Sequence, residues 1–182
     1  MNMRRIGIAV ALLAAIGFMF NLSSAASEPL TAGQTAPTFT LPSQDRSAVS
    51  LGQFRGKWVL LYFYPKDNTP GCTLEAHNFQ RDLPKYESLN TVIVGVSLDS
   101  EESHKSFCAK QGLTFKLLSD KDKEVTTKYG SLKTMLGIKM SARNTFLIDP
   151  AGKIAKVWVG VQPSGHSAEV LKELQGREGK KL

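Results

Sequence analysis

Two runs of apolar, β-prone residues set the limits on what this chain can fold into. Trp58-Val59-Leu60-Leu61-Tyr62-Phe63-Tyr64 has none of the polar alternation of a strand that shows one face to water. It reads as a central strand, buried on both sides. Thr91-Val92-Ile93-Val94-Gly95-Val96-Ser97 is a second buried strand. Asn68-Thr69-Pro70-Gly71 breaks the first run, and a helical pattern begins near Cys72. Its expected buried positions are Leu74, Phe79, Leu83 and Tyr86. Pro84 has no amide hydrogen and its ring crowds the preceding turn, so it is expected to kink or interrupt that helix.

The alternation continues along the chain. Residues 38–41 and 48–51 read as two short strands across a Pro42-Ser43-Gln44-Asp45 turn, an N-terminal β-hairpin. Residues 100–111 form a helix opened by Ser100, with Glu101 and Glu102 in its first turn, and closed by Gly112. A strand at 115–118 and a short helix at 120–129 ended by Gly130 follow. Residues 145–148 and 154–159 make a hairpin, 167–174 a last helix and 176–182 a charged tail. Strands alternating with helices, then a hairpin, imply an α/β fold: one mixed sheet flanked by helices.

The amino terminus has the form of an export signal. Arg4 and Arg5 precede an apolar run at 6–20, and small residues follow from Ser23 to Ser27. A helix of 15 residues reaches about 22 Å, short of the ~30 Å hydrocarbon core. Cleavage is expected after Ala26, leaving a domain at 27–182 in an exported, periplasmic and oxidising compartment, without stable membrane association. The alternative is an uncleaved anchor. The chain carries 23 Lys and Arg against 16 Asp and Glu, but the basic residues are scattered and the longest run is Lys180-Lys181. This describes a solvated surface, not a nucleic-acid site. Two cysteines exclude a disulfide scaffold and a Cys₄ metal centre.

Cys72 sits where chemistry is expected. A buried strand runs into a tight turn, and the cysteine falls in the first turn of the next helix, whose amides favour a thiolate. Lowering a thiol from ~8.5 to ~6 needs about 3.4 kcal/mol at ~1.36 per unit. A helix end supplies ~0.3–1 and rarely ~2 kcal/mol. A hydrogen bond from a cation adds ~1.5–3, so an arginine is expected nearby. The local pattern equally allows a small buried hydrophobe at a strand–helix junction.

Pro65-x-x-x-Thr69-x-x-Cys72 resembles the peroxiredoxin active-site pattern. The stretch 62–76 is similar to the peroxiredoxin Q subfamily, also called bacterioferritin-comigratory proteins. Leu117-Leu118-Ser119-Asp120 and Arg143-x-Thr145-Phe146-Leu147-Ile148-Asp149 resemble it too, in the same order, and the likeness spans residues 30–175. It implies a thioredoxin-like fold and thiol-based reduction of hydrogen peroxide and organic hydroperoxides, recycled by a thioredoxin-like reductant. Cys72 would be the peroxidatic nucleophile and become a sulfenic acid. Thr69 would give its hydroxyl to the thiolate and peroxide, and Pro65 would shield the sulfur. Arg143 would be the cation, oriented by Glu75.

The chain departs from the commoner pattern at the resolving thiol. Many subfamily members place a second cysteine five residues after the first, where this chain has His77. Cys108, in the 100–111 helix, resembles the resolver of other members. A disulfide needs Cα atoms within ~7 Å, so both helices are expected to unravel locally. The alternative is a one-cysteine enzyme with Cys108 as core packing.

His104 and Cys108 share a helix face at i, i+4, but no further ligand pair makes a metal site. His77 and His166 are expected at the surface or as caps. The glycines compose neither a phosphate loop nor a dinucleotide fingerprint, so no cofactor is expected. The leading reading is a monomeric peroxidase; the competing class is a redox sensor or holdase switched by Cys72 oxidation. The absence of Cys-x-x-Cys disfavours a disulfide exchanger.

Overall fold

The computed structural model describes residues 29–178, and the expected leader at 1–26 and the last residues of the charged tail lie outside them. A hairpin of β1 (Thr40–Pro42) and β2 (Ala48–Ser50) precedes β3 (Trp58–Phe63). There follow α1 (Pro70–Ser88), β4 (Thr91–Ser97), α2 (Glu101–Gln111), β5 (Lys116–Ser119) and α3 (Glu124–Lys128). The chain ends with β6 (Leu132–Met135), β7 (Ile138–Ser141), β8 (Thr145–Ile148), β9 (Ile154–Trp158) and α4 (His166–Glu178). The central sheet has the order β5-β4-β3-β8-β9. β3, β4 and β5 run parallel, while β8 and β9 are antiparallel to their neighbours, so the sheet is mixed.

β3 lies in the middle, and all six of its residues are buried. Strand side chains alternate between faces, and β3 feeds two separate cores by parity. Leu60, Tyr62 and Tyr64 pack with Phe79, Tyr86, Phe107 and both cysteines. Val59, Leu61 and Phe63 pack on the opposite face with Val94, Val96 and Phe146. Removing a leucine such as Leu60 or Leu61 from water contributes roughly 1.5–3 kcal/mol.

Several boundaries differ from expectation. α1 is not interrupted at Pro84 but continues to Ser88. Pro84 is exposed, so the Gln80 carbonyl that loses its donor lies near solvent and the cost is bearable. Leu74 is 45% exposed, because the buried stripe of α1 runs through Cys72, Glu75, Ala76, Phe79, Asp82 and Tyr86. That stripe includes two carboxylates, which an apolar pattern does not register. Leu83 is half-buried. α2 begins and ends as expected: Ser100 Oγ accepts from the Ser103 amide at 3.2 Å, and Gly112 adopts φ 64°.

α3 is shorter than the expected 120–129 helix: Lys123, at φ 65°, is its N-cap, and Asp120 lies ahead of it, accepting from the Thr126 amide at 2.7 Å. The β6–β7 hairpin was not expected. Its turn is Leu136-Gly137, both at positive φ, and half of its strand residues, those next to the turn, are exposed. α4 starts one residue earlier and ends four later than the expected helix, taking in residues 176–178 of the expected tail.

Candidate active site

The end of β3, the loop 65–69 and the first turn of α1 converge on Cys72. Asn68 turns the loop at φ 58°, Thr69 is the N-cap, and Pro70 occupies a position where its missing amide forfeits no helical bond. Cys72 is the third residue of α1, so its amide is among those with no acceptor inside the helix. Its side chain is buried.

Arg143 arrives from the segment between β7 and β8. Its backbone position is fixed by two hydrogen bonds: the Phe63 amide donates to the Asn144 carbonyl at 2.8 Å, and the Val161 amide donates to the Arg143 carbonyl at 2.9 Å. One guanidinium then serves two partners. Nη2 donates to Cys72 Sγ at 3.2 Å and Nη1 to Glu75 Oε2 at 2.7 Å. The guanidinium thus sets a cation at hydrogen-bond distance from the sulfur, where it can stabilise negative charge that develops during reaction. Room for it depends on Gly71, where a Cβ would meet Arg143 Nη2 at 2.8 Å. Arg143 also borders a cleft of about 630 Å³ lined by Ala142, Asn144, Gly160, Val161 and Pro163, among others.

Glu75 is almost wholly buried, and its Oε1 has no partner among the described residues. Burial pushes its carboxyl up to about 7, and Arg143 holds it from rising further. Thr69 is placed at the helix start, but its hydroxyl donates to the Lys66 carbonyl at 3.0 Å. To donate to a peroxide it has to turn about χ1. Pro65 is half-buried at the rim.

Cys108 is buried in the core cluster that also contains Cys72, and both thiols are free. Burial, with the Asp67 charge, pushes the Cys108 thiol up to about 11. His77 is exposed, as expected. His166 is not a surface residue: it is 1% exposed, with Nε2 2.9 Å from Thr145 Oγ1, and burial lowers it to about 4. α4 packs against α1 and carries His166 inward, where it meets Phe79 and Trp158. His104 is fully buried, with Nδ1 2.8 Å from Asp67 Oδ2. Among the described residues no group of three or more His, Cys, Asp or Glu side chains has the arrangement of a metal site.

Gly71, whose missing Cβ admits Arg143, and the buried Tyr64–Asp67–His104 group depend on contacts between distant segments and leave no local signal in the sequence. The fold and the thiol–guanidinium–carboxylate arrangement define a thiol-based peroxidase. The AhpC/TSA family model matches residues 32–157. A Coxiella burnetii relative named as a peroxiredoxin Bcp is 47% identical over 146 residues, 78% of this chain and 97% of its own.

A solved Xylella fastidiosa PrxQ variant superposes with TM-score 0.78 at 38% identity, covering 84% of this chain and 99% of that one. Xanthomonas campestris bacterioferritin comigratory protein, solved for its alkyl peroxide reduction activity, gives 0.75 at 36% identity, covering 80% and 98%. Two cysteine-to-serine variants of the Xanthomonas peroxiredoxin Q carry their changes 36 residues apart, the separation of Cys72 and Cys108. The chain belongs to the AhpC/TSA family, among its peroxiredoxin Q/Bcp members, and is a thiol peroxidase.

Proposed function

We propose that the chain reduces hydrogen peroxide and organic hydroperoxides through a Cys72 sulfenic acid, which Cys108 resolves as an intramolecular disulfide and a thioredoxin-like dithiol reduces. The observation that carries this reading is the guanidinium shared between Cys72 Sγ and Glu75.

The Cys72 thiolate attacks one peroxide oxygen and the O–O bond breaks. The sulfur is oxidised to the sulfenic acid, and the other oxygen leaves as hydroxide or alkoxide and takes a proton. Negative charge moves from sulfur to the leaving oxygen, and Arg143 Nη2, already beside the sulfur, follows it. Glu75 fixes the other arm of the guanidinium so that it need not reorganise. Thr69 turns its hydroxyl from Lys66 to the peroxide, and Pro65 keeps bulk water off the sulfur. Cys108 then displaces water from the sulfenic acid. Both cysteines are buried on different helices, so the start of α1 and the Cys108 turn of α2 open locally to meet the disulfide limit of ~7 Å between Cα atoms. The outside dithiol attacks that disulfide by exchange.

Peroxide consumption over many turnovers with a thioredoxin-like reductant tests this reading, alongside peptide mapping after one equivalent of peroxide. Stoichiometric consumption alone would identify a sensor instead of an enzyme.

The same reading makes the protein an exported, periplasmic monomer beginning at Ser27. The Arg4-Arg5 start, the apolar run and the small residues before Ser27 support it. No helix among the described residues is long and apolar enough to cross a membrane. Amino-terminal sequencing that finds Met1 retained on membranes would overturn the export reading, and sedimentation tests the monomer.

A further inference from the structure

A buried polar group lies beside the catalytic contacts and is not used by them. Asp67, in the loop before α1, is 5% exposed. Its Oδ1 accepts from the Tyr64 hydroxyl at 2.7 Å, and its Oδ2 accepts from Ser103 Oγ at 2.7 Å and lies 2.8 Å from His104 Nδ1. His104 is fully buried, and its Nε2 has no partner among the described residues. One helical turn further along α2 is Cys108.

We infer that His104 is the general base that takes the proton of Cys108 when Cys108 attacks the Cys72 sulfenic acid, with Asp67 holding the imidazole in the required tautomer. This rests on the reading of Cys108 as the resolving thiol.

A carboxylate can only accept, so His104 Nδ1 donates to Asp67, and in the neutral ring Nε2 is left with a free lone pair. Side chains on a helix tilt toward its N-terminus, so the Cys108 thiol lies over the turn that carries His104. In the reduced state the two are not hydrogen-bonded. Rotation of the thiol, or the first opening of α2 around Cys108, brings them together. Ser100 caps α2, and Asp67 binds Ser103 and His104, so the base stays anchored while the Cys108 turn moves.

The need for a base follows from the burial of Cys108, since only a minute fraction of such a thiol is ionised at neutral pH. Other titratable groups around the pair are unsuited. The Tyr62 and Tyr64 phenols are held well above their usual range by burial, and Tyr64 already donates to Asp67. Lys116, facing Cys108 from β5, is a cation paired with Asp45.

The step balances. His104 Nε2 takes the Cys108 proton, and the thiolate forms the S–S bond as the S–OH bond of Cys72 breaks. The imidazolium then gives that proton to the departing hydroxide, releasing water.

His104→Gln keeps an amide donor toward Asp67 and removes the base. The measurement, on the whole protein, is the ratio of the disulfide-formation rate to the Cys72 oxidation rate. It should fall at least tenfold at neutral pH. Disulfide formation in His104→Gln should climb more steeply with pH than in wild type, because hydroxide must then take the Cys108 proton in place of the imidazole. An unchanged ratio and profile, or both rates falling together, overturns the proposal. If His104→Gln does not fold, Asp67→Asn carries the test with the same ratio and the same two outcomes. Absence of a Cys72–Cys108 disulfide in wild type removes the resolver reading and this proposal together; a failure confined to the variant ratio removes this proposal alone.

Discussion

Gly71 and Arg143 compete for one volume: a Cβ on Gly71 would sit 2.8 Å from Arg143 Nη2 and 3.5 Å from its Cζ. The glycine stands one residue before the cysteine that the guanidinium holds, so the absence of a methyl group there permits the contact. Gly71→Ala should push the guanidinium away from Cys72. Alanine suits a helix better than glycine by ~1 kcal/mol, so thermal stability should hold or rise while Cys72 oxidation slows. Stopped-flow oxidation paired with a melting curve checks this, and an unchanged oxidation rate would sink it.

Arg143→Met removes the cation but keeps an unbranched chain. Cys72 should react with peroxide at least ten times more slowly, because the charge that develops on the leaving oxygen loses its donor. A single-turnover rate that matches wild type would show that Nη2 is idle.

Cys72→Ser should abolish peroxidase activity, because the other thiol, Cys108, is buried and held protonated. Cys108→Ser should allow the first oxidation but lose the internal disulfide, so over-oxidation to sulfinic acid should rise with peroxide dose. Exposed His77 should matter to neither step, and His77→Ala should be nearly silent. Intact-mass analysis across a peroxide series separates these outcomes; normal turnover by Cys108→Ser would make the protein a one-cysteine enzyme.

Glu75 makes folding stability depend on pH with a sign opposite to that of a salt-bridged surface acid. Its carboxyl rises from 4.5 to about 7 on folding, so the native state holds a proton that the unfolded chain releases between those values. The contribution is fully present below pH 4.5 and is lost as pH rises through 7, by roughly 3 kcal/mol at ~1.36 per unit. His166, lowered to about 4, works the other way: its contribution is present above 6.5 and lost as pH falls through 4. Comparing wild type with Glu75→Gln cancels the His166 effect. Urea unfolding at pH 5 and pH 8 should show the variant gaining on wild type at the higher pH, whereas parallel profiles would refute the assignment.

Much of this architecture was legible in the sequence because its signals were local. β3 and β4 announced themselves as unbroken apolar runs, and α2 carried its own cap, acidic first turn and terminal glycine. What stayed hidden depended on neighbours distant in sequence. The β6–β7 hairpin presents exposed Met135 and Ile138 on its strands and Leu136 in its turn, and that turn lacks the Asn-Gly signature of a tight hairpin. Leu74 looked like core and faces solvent because Glu75 takes the inward position, an exchange set by Arg143. His166 looked like a surface residue because nothing nearby reveals that α4 folds back onto α1. Cys72 and Arg143 lie 71 residues apart, and only the family resemblance linked them before the fold did.

The alternation of β3 also separates two kinds of change. Even-numbered residues of the strand face the layer that holds both cysteines, and odd-numbered ones face a core with no thiol. Substitutions at Val59 or Leu61 therefore alter how firmly the domain holds together without touching the layer of the reacting sulfur, whereas Phe63 also holds, through its amide, the segment that carries Arg143. Inserting or deleting a single residue within the strand would exchange the two sets and forfeit that independence at once.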